Sequence, residues 1–247
     1  RNTQFDRRRQ RQMCIRDRFQ VTPEYPAWMR KTLAPGAFGI LLTWSLLQLA
    51  AVYAGRPEQS ISLWGGFLAA VFALFAAVTL RLQLQRRRRT SDITLKFWRV
   101  AMVVMVLCLP LWGLGYFNPG VGESPRFSLL FGALMIFGVA VPVVNGMLYK
   151  IIAFLPWFHL QHRQLALARF DVVVPHMKAF VPQAAADRQF IVWLLSFSTG
   201  LAALFWPQMS RPAGLLFAVS NLLLFHNMLV AVALYRRTEN MLREPQS

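Results

Sequence analysis

Acidic residues and cysteines are scarce in this chain. Its 247 residues include ten Asp and Glu against 27 Lys and Arg, and only two cysteines. Cys108 lies in a long apolar stretch and Cys14 lies in a basic N-terminal segment, so these two cannot form a structural disulfide across a membrane. No cysteine spacing fits a metal site either.

Catalytic motifs are lacking as well. The sequence contains no phosphate-binding glycine loop, no zinc-protease histidine pair and no nucleophile elbow. No carboxylate lies inside the long apolar stretches, which argues against a proton relay through Asp or Glu. The sequence therefore leaves the question of an enzyme open and leans against one.

Six apolar stretches dominate what is present. The chain is 56% hydrophobic and yet carries a formal charge of +17, a combination that a soluble domain of this size would not show. About 20 helical residues cross about 30 Å of hydrocarbon, and lipid forces each span to satisfy its own backbone. We therefore predict an all-α, polytopic transmembrane helical bundle with about six spans: Leu33–Tyr53, Ile61–Leu80, Val100–Phe117, Phe127–Leu148, Phe190–Trp206 and Ala213–Tyr235.

Basic residues alternate between the connections that join these spans. Of the 27 Lys and Arg, 24 lie in the N-terminal segment, the 2–3 connection, the 4–5 connection and the C-terminal tail. The other face has only Arg56, Arg126 and Arg211. The positive-inside rule then predicts a protein of the bacterial inner (cytoplasmic) membrane with both termini in the cytoplasm.

A run of four arginines stands in the 2–3 connection. We interpret Arg86, Arg87, Arg88 and Arg89 as a topology determinant that contacts anionic lipid headgroups. No fold or aromatic pattern for nucleic-acid binding accompanies the run, so the predicted partner is the lipid bilayer and not a nucleic acid.

The N-terminal segment, residues 1–32, precedes the membrane domain, residues 33–236, and a cytoplasmic tail, residues 237–247. The run Met13-Cys14-Ile15-Arg16-Asp17-Arg18 resembles the translation of a sequencing-library adapter. We therefore expect residues 1–18 to be partly or wholly non-native, the alternative being a disordered basic tail.

The connection at residues 149–188 is too long for a simple loop. Its apolar piece Ile151–Leu160 is too short to span, so it should either extend helix four or lie in the membrane interface. We predict interfacial helices here and a candidate docking site for a protein partner.

Polar residues mark a candidate path inside the membrane. Pro142 and Asn145 share a predicted face of span four with Gly138 and Tyr149, and Pro142 should bend that helix. Ser220 and Asn227 lie on nearly one face of span six. These four residues, Pro142, Asn145, Ser220 and Asn227, are candidates for a substrate path, although helix packing explains them equally well.

Four histidines occur, and His226 alone lies near the middle of a span. A histidine at that depth is a candidate functional residue. It could bind a haem, bind copper together with Met228 and Met102, contact a substrate, or remain neutral and hydrogen bonded to Asn145 or Ser196. His159 and His162 lie three residues apart and could share a helix face.

The run from Gly146 to His159, which reads GMLYKIIAFLPWFH, carries a family resemblance. It resembles a motif of uncharacterised bacterial multi-pass membrane proteins that are loosely related to haem-copper oxidase subunit I and to NnrS-type proteins. This chain has Ala153 where the motif has proline, and Pro156 three residues later. The resemblance implies haem or copper as cofactor, with His226 and His159 as candidate ligands, and implies that further spans precede this chain.

Three functions therefore remain open from the sequence. The first is a haem- or copper-associated membrane protein of redox or metal-handling type. The second is a non-catalytic accessory membrane subunit. The third is a permease for small solutes.

Overall fold

A computed structural model describes residues 24–55, 63–85, 92–169 and 171–243. The predictions made for residues 1–18, for Arg86–Arg89 and for the end of the C-terminal tail lie outside these described residues.

The described part of the chain is helical and contains no strand. Its helices are α1 (Ala27–Tyr53), α2 (Leu63–Leu84), α3 (Ile93–Phe117), α4 (Pro119–Gly122), α5 (Pro125–Ala133), α6 (Val141–Ala166), α7 (Gln183–Ala203) and α8 (Ser210–Arg243). A π-helical segment, Leu134–Ala140, joins α5 to α6, and short 3₁₀ turns precede α7 and α8. The predicted all-α class is confirmed.

Five helices among the described residues are long and apolar enough to cross a membrane. They are Ala27–Tyr53, Leu63–Leu84, Ile93–Phe117, the continuous run Pro125–Ala166, and Pro207–Arg243. Since about 20 apolar residues suffice for one crossing, these helices are those expected of an integral membrane protein.

The fifth predicted span, Phe190–Trp206, is not covered by any of these five helices. It forms the larger part of α7, which begins seven residues earlier, at Gln183, and ends at Ala203. Asp187 and Arg188 therefore lie inside the helix and shorten its apolar part, so α7 is not one of the five.

The first part of the connection at residues 149–188 is an extension of α6. This helix continues through Pro156 to Ala166, so Ile151–Leu160 extends helix four, the first of the two predicted alternatives. The chain then turns through Ala168, whose φ of 50° is left-handed, and makes one 3₁₀ turn at Met177–Ala179 before α7 begins. Beside the turn, hydrogen bonds from Arg169 lower the pKa of the Asp171 carboxyl.

The described chain divides into two compact units. The first holds α1, α2, the C-terminal part of α3 and α4. Here the Tyr25 hydroxyl is hydrogen bonded to the Thr79 hydroxyl over 2.9 Å, and the Trp112 indole lies against Gly66. A Cβ at Gly66 would come within 2.3 Å of that ring, so the glycine permits the contact.

The second unit holds the N-terminal part of α3 together with α5 to α8. Its main core packs Phe97 of α3, Tyr149 of α6, Trp193 of α7 and Leu224 of α8. A second cluster near the chain's C-terminal end packs Leu160, Phe180, Ala231 and Leu242. At the start of α3, Lys96 forms an ion pair of 2.8 Å with Asp187 of α7.

Candidate functional site

One face of α6 is buried along most of its length. Pro142, Asn145 and Tyr149 are all buried, the last two at 5% and 4% exposure, and Gly138 is buried one turn earlier. The 3.6-residue period of the helix puts these positions in line, as the sequence predicts.

The predicted disturbance at Pro142 takes the form of a π-helical segment. The Val141 N–H donates to the Ile136 carbonyl five residues back, and Pro142 has no N–H to continue the α-helical pattern. The helix stays continuous because the widened turn absorbs the missing donor.

Two glycines of this run allow neighbouring helices to approach closely. A Cβ at Gly138 would lie 2.8 Å from Phe197 of α7 and 2.8 Å from Val104 of α3. At Gly146 a Cβ would lie 3.2 Å from Phe97, and the Thr94 hydroxyl donates to the Gly146 carbonyl over 3.0 Å. Small residues at such contacts are how helices pack in lipid.

A chain of hydrogen bonds joins three helices beside this face. The Asn227 amide donates to the Tyr149 hydroxyl over 2.9 Å, and that hydroxyl donates to the Gln189 carbonyl oxygen over 3.4 Å. The Gln189 amide then donates to the Ser220 hydroxyl over 3.0 Å. We call these four residues, Asn227, Tyr149, Gln189 and Ser220, the polar chain.

The polar chain lies within an aromatic core. Phe97 packs against Tyr149 and Trp193 at ring-centroid distances of 6.3 and 5.4 Å, and Trp193 stacks on Phe197 at 5.8 Å. Gln189 and Ser220 are 0% and 1% exposed. In such surroundings each hydrogen bond is costly to lose, because water cannot replace it.

The hydrogen bonds also show how α7 and α8 run. Gln189 pairs with Ser220, and seven residues later Ser196 donates to the Ala213 carbonyl over 3.1 Å, so the two helices are antiparallel. α7, which is not among the five long apolar helices, is thus held by polar contacts with α8.

Two of the four predicted path residues belong to the polar chain. Ser220 and Asn227 are members, Asn145 is buried one turn before Tyr149, and Pro142 is buried beside the π-helical segment. The sequence missed the role of Tyr149, which it placed only on the helix face, and missed Gln189 altogether. Gln189 directly precedes Phe190, the predicted start of span five. A glutamine at the edge of an apolar span is the sequence signal that could have identified it.

The predicted cofactor ligands, His226 and His159, lie on two different helices. His226 is exposed on the outer face of α8, and His159 is exposed on α6 with its ring 5.9 Å from the Tyr235 ring. Met102, the suggested copper partner of His226, is 1% exposed in the core, whereas His226 is exposed. His162 lies against Phe158 at 4.4 Å and does not share a partner with His159.

Within the described ranges no group of three His, Cys, Asp or Glu could hold a metal ion. Comparison with family models, with curated proteins and with solved structures finds no match.

Proposed function

We propose that this chain is a non-catalytic accessory subunit embedded in a membrane, where it acts as a rigid helical scaffold for a partner. The observation that carries the proposal is the polar chain. Its polar groups bond to one another inside an aromatic core, so they stabilise the packing of α6, α7 and α8 and offer no open site for chemistry. This arrangement also favours packing over a substrate path for Pro142, Asn145, Ser220 and Asn227.

The outer face of α8 is the proposed surface for the partner. His226 projects there among exposed apolar residues such as Leu222 and Leu229. An imidazole left in hydrocarbon without a hydrogen-bond partner is unfavourable, so a polar group of another membrane-embedded helix would stabilise it.

Site-specific photo-crosslinking in intact membranes tests this proposal. A photoreactive residue replaces Leu222 or Leu229 on the outer face of α8, and the matched control replaces Val144, which is also exposed but lies on α6. We expect one polypeptide of defined mass to crosslink at the two α8 positions only, and the crosslink to weaken when His226→Leu is added. Lipid adducts alone at all three positions would contradict the proposal.

A second candidate function is association with haem or copper, in redox chemistry or metal handling. The outward position of His226 favours it, because a side chain on the outer face could supply one ligand while the partner supplies the others. The resemblance of Gly146–His159 to uncharacterised membrane proteins that are loosely related to haem-copper oxidase subunit I and to NnrS-type proteins also supports it, with His159 as the other candidate ligand.

The absorption spectrum and copper content of the purified full-length chain with its partner decide this candidate. We expect His226→Ala to remove the haem band or the copper, while His176→Ala, an exposed histidine of the connection, leaves both unchanged. A complex without haem absorbance and without bound copper would contradict this candidate function.

Residence in the bacterial inner membrane with both termini cytoplasmic also forms part of the proposal. It is supported by the distribution of Lys and Arg between the connections.

A further inference from the structure

Past the polar chain, α6 and α8 continue side by side and form a small core with the connection between α6 and α7. Its four buried apolar residues come from these three segments: Leu160, Phe180, Ala231 and Leu242. At the far end Arg163 of α6 forms an ion pair with Glu239 of α8. We call the described residues of 150–182 and 228–243 the extension.

The extension begins at a level that charged residues mark. The Tyr149 hydroxyl is hydrogen bonded to Asn227 and to Gln189, so these three residues lie at one level of α6, α8 and α7. Four charged residues of α3, α6 and α7 stand beside that level: Lys96, Lys150, Asp187 and Arg188. Charged side chains are rare in hydrocarbon, so we infer that the hydrocarbon ends near the start of the extension.

One exposed, mostly apolar stripe runs along α6 within the extension. Its members follow one another at steps of three, four and three residues: Leu155, Phe158, His162 and Leu165. This is the spacing of a helix face that packs on another helix. Leu155, Phe158 and Leu165 are 60%, 48% and 66% exposed, whereas Leu160 on the opposite side of α6 is 0% exposed. We call these four residues the α6 stripe; the described part of the chain leaves it uncovered.

With the hydrocarbon ending near Tyr149, the α6 stripe extends past the lipid headgroups. At 1.5 Å per residue, Leu155 lies about 9 Å and Leu165 about 24 Å beyond Tyr149 along the helix. The headgroup layer adds only about 5–8 Å on each side of the hydrocarbon. An apolar face that continues into water is typical of a surface that binds another protein.

The extension is also basic. Residues 150–182 and 228–247, which include it, contain seven Lys and Arg against three Asp and Glu. Directly after His162, the Arg163 side chain is 35% exposed, and the Glu239 carboxylate that it contacts is shared with Arg243. Two guanidinium groups on one carboxylate leave a positive charge uncompensated beside the α6 stripe. A second copy of the chain would carry the same excess and be repelled, whereas an acidic partner would be attracted.

We propose that the α6 stripe binds one acidic amphipathic helix of a partner protein outside the membrane. The partner helix packs apolar residues at heptad spacing on the stripe and places Asp or Glu toward Arg163 and its neighbouring cations. This proposal rests on the accessory role proposed above, and it adds a contact that is separate from the outer face of α8.

Fluorescence anisotropy with the full-length protein in nanodiscs of phosphatidylcholine tests the proposal. The probe is a labelled synthetic helix with Leu at heptad positions a and d and Glu at e and g, and a second helix has Lys at e and g instead. We expect the acidic helix to bind about tenfold more tightly than the basic one, with a difference that shrinks as salt is added. Equal affinities of the two helices would overturn the proposal.

Two double variants separate the α6 stripe from apolar exposure in general. Leu155→Gln/Leu165→Gln should weaken binding of the acidic helix about tenfold. The matched control, Val173→Gln/Met241→Gln, changes exposed apolar residues elsewhere in the extension and should bind as the parent does. All four side chains are exposed, so the thermal midpoints should stay unchanged. Equal losses of binding in the two double variants would contradict the proposal.

Native mass spectrometry and crosslinking test the other occupants. We expect the purified parent to be a monomer, and a photoreactive residue in place of Leu165 to crosslink to a second polypeptide in intact membranes. A dimer that Leu155→Gln/Leu165→Gln abolishes would assign the α6 stripe to a second copy, and lipid adducts alone at position 165 would assign it to the membrane; either result overturns the proposal. The accessory role fails differently, through the absence of a protein crosslink at Leu222 and Leu229 of α8.

Discussion

Tyr149 is the residue on which the packing of the second unit most depends. Its hydroxyl accepts from Asn227 of α8 and donates to Gln189 of α7, while its ring packs on Phe97 of α3. One side chain of α6 thus contacts three other helices.

Replacing Tyr149 by Phe removes the hydroxyl, so the Asn227 N–H loses its acceptor and the Gln189 carbonyl oxygen loses its donor. We expect a loss of about 1–2 kcal/mol in the free energy of unfolding, because buried polar groups that lose their hydrogen bond are penalised even within membranes. Thermal or denaturant unfolding in mixed micelles measures it.

The control for that substitution is Tyr53→Phe, at a tyrosine that is 85% exposed. It should leave stability unchanged. A Tyr149→Phe protein as stable as the Tyr53→Phe protein would show that the polar chain does not stabilise the fold.

Gly138 offers a second test at the scale of one residue. In Gly138→Ala the new methyl group would lie 2.8 Å from the side chains of Phe197 and Val104, so these side chains or the helices that carry them must shift. We expect a destabilisation of about 1–3 kcal/mol, measured as above.

Gly132→Ala is the matched control, since nothing lies within 4 Å of a Cβ at Gly132 in the same helical run. Its thermal midpoint should be unchanged or slightly raised, because alanine favours helix more than glycine does. Equal effects of the two alanines would contradict the close packing at Gly138.

At the scale of elements, α7 differs from its neighbours in the polar and charged residues at its N-terminal end. It has Asp187, Arg188 and Gln189 in its first two turns, and polar contacts hold it against α8. A segment with so many polar groups near one end inserts less favourably alone than an apolar helix.

We therefore predict that Gln183–Trp206 inserts poorly when tested alone in a translocation assay. The longer segment of residues 183–243, which includes α8, should insert as a hairpin with both ends on one side. Leu63–Leu84, one of the five long apolar helices, is the positive control. Full insertion of the isolated segment would show that α7 does not need α8.

The sequence predicted the helical elements well, but it predicted their contacts less well. The face of Gly138, Pro142, Asn145 and Tyr149 follows from helical period alone, and the structure buries it. The π-helical segment was beyond prediction, because a proline in a helix can be absorbed by a bend or by a widened turn. In α2 alanines lie on several faces of the helix, so the sequence alone does not show that Ala73 and Ala76 are buried and Ala77 is exposed.

The sequence predicted two members of the polar chain and missed Gln189. Ser220 and Asn227 are seven residues apart, so their common face was readable, and the same spacing places His226 away from them with Leu222 and Val230, all exposed. Gln189 was missed because its pairing with Ser220 depends on how α7 lies against α8, which no single-helix pattern contains.

At the scale of the whole molecule, the chain combines long apolar helices with basic connections. Long apolar helices require lipid around them, and we propose that the Lys and Arg of the connections determine which side of the membrane each connection faces. The proposed accessory role depends on the chain lying in lipid in this way.

Thiol labelling in intact cells tests the placement most directly. In a background with Cys14→Ser and Cys108→Ala, single cysteines replace Asn118, exposed in an outer connection, or Val173, which is 85% exposed in the connection between α6 and α7. A membrane-impermeant maleimide should label Asn118→Cys in intact spheroplasts and Val173→Cys only after lysis. Labelling of Val173→Cys in intact spheroplasts, or a chain that remains dispersed without detergent, would contradict the account.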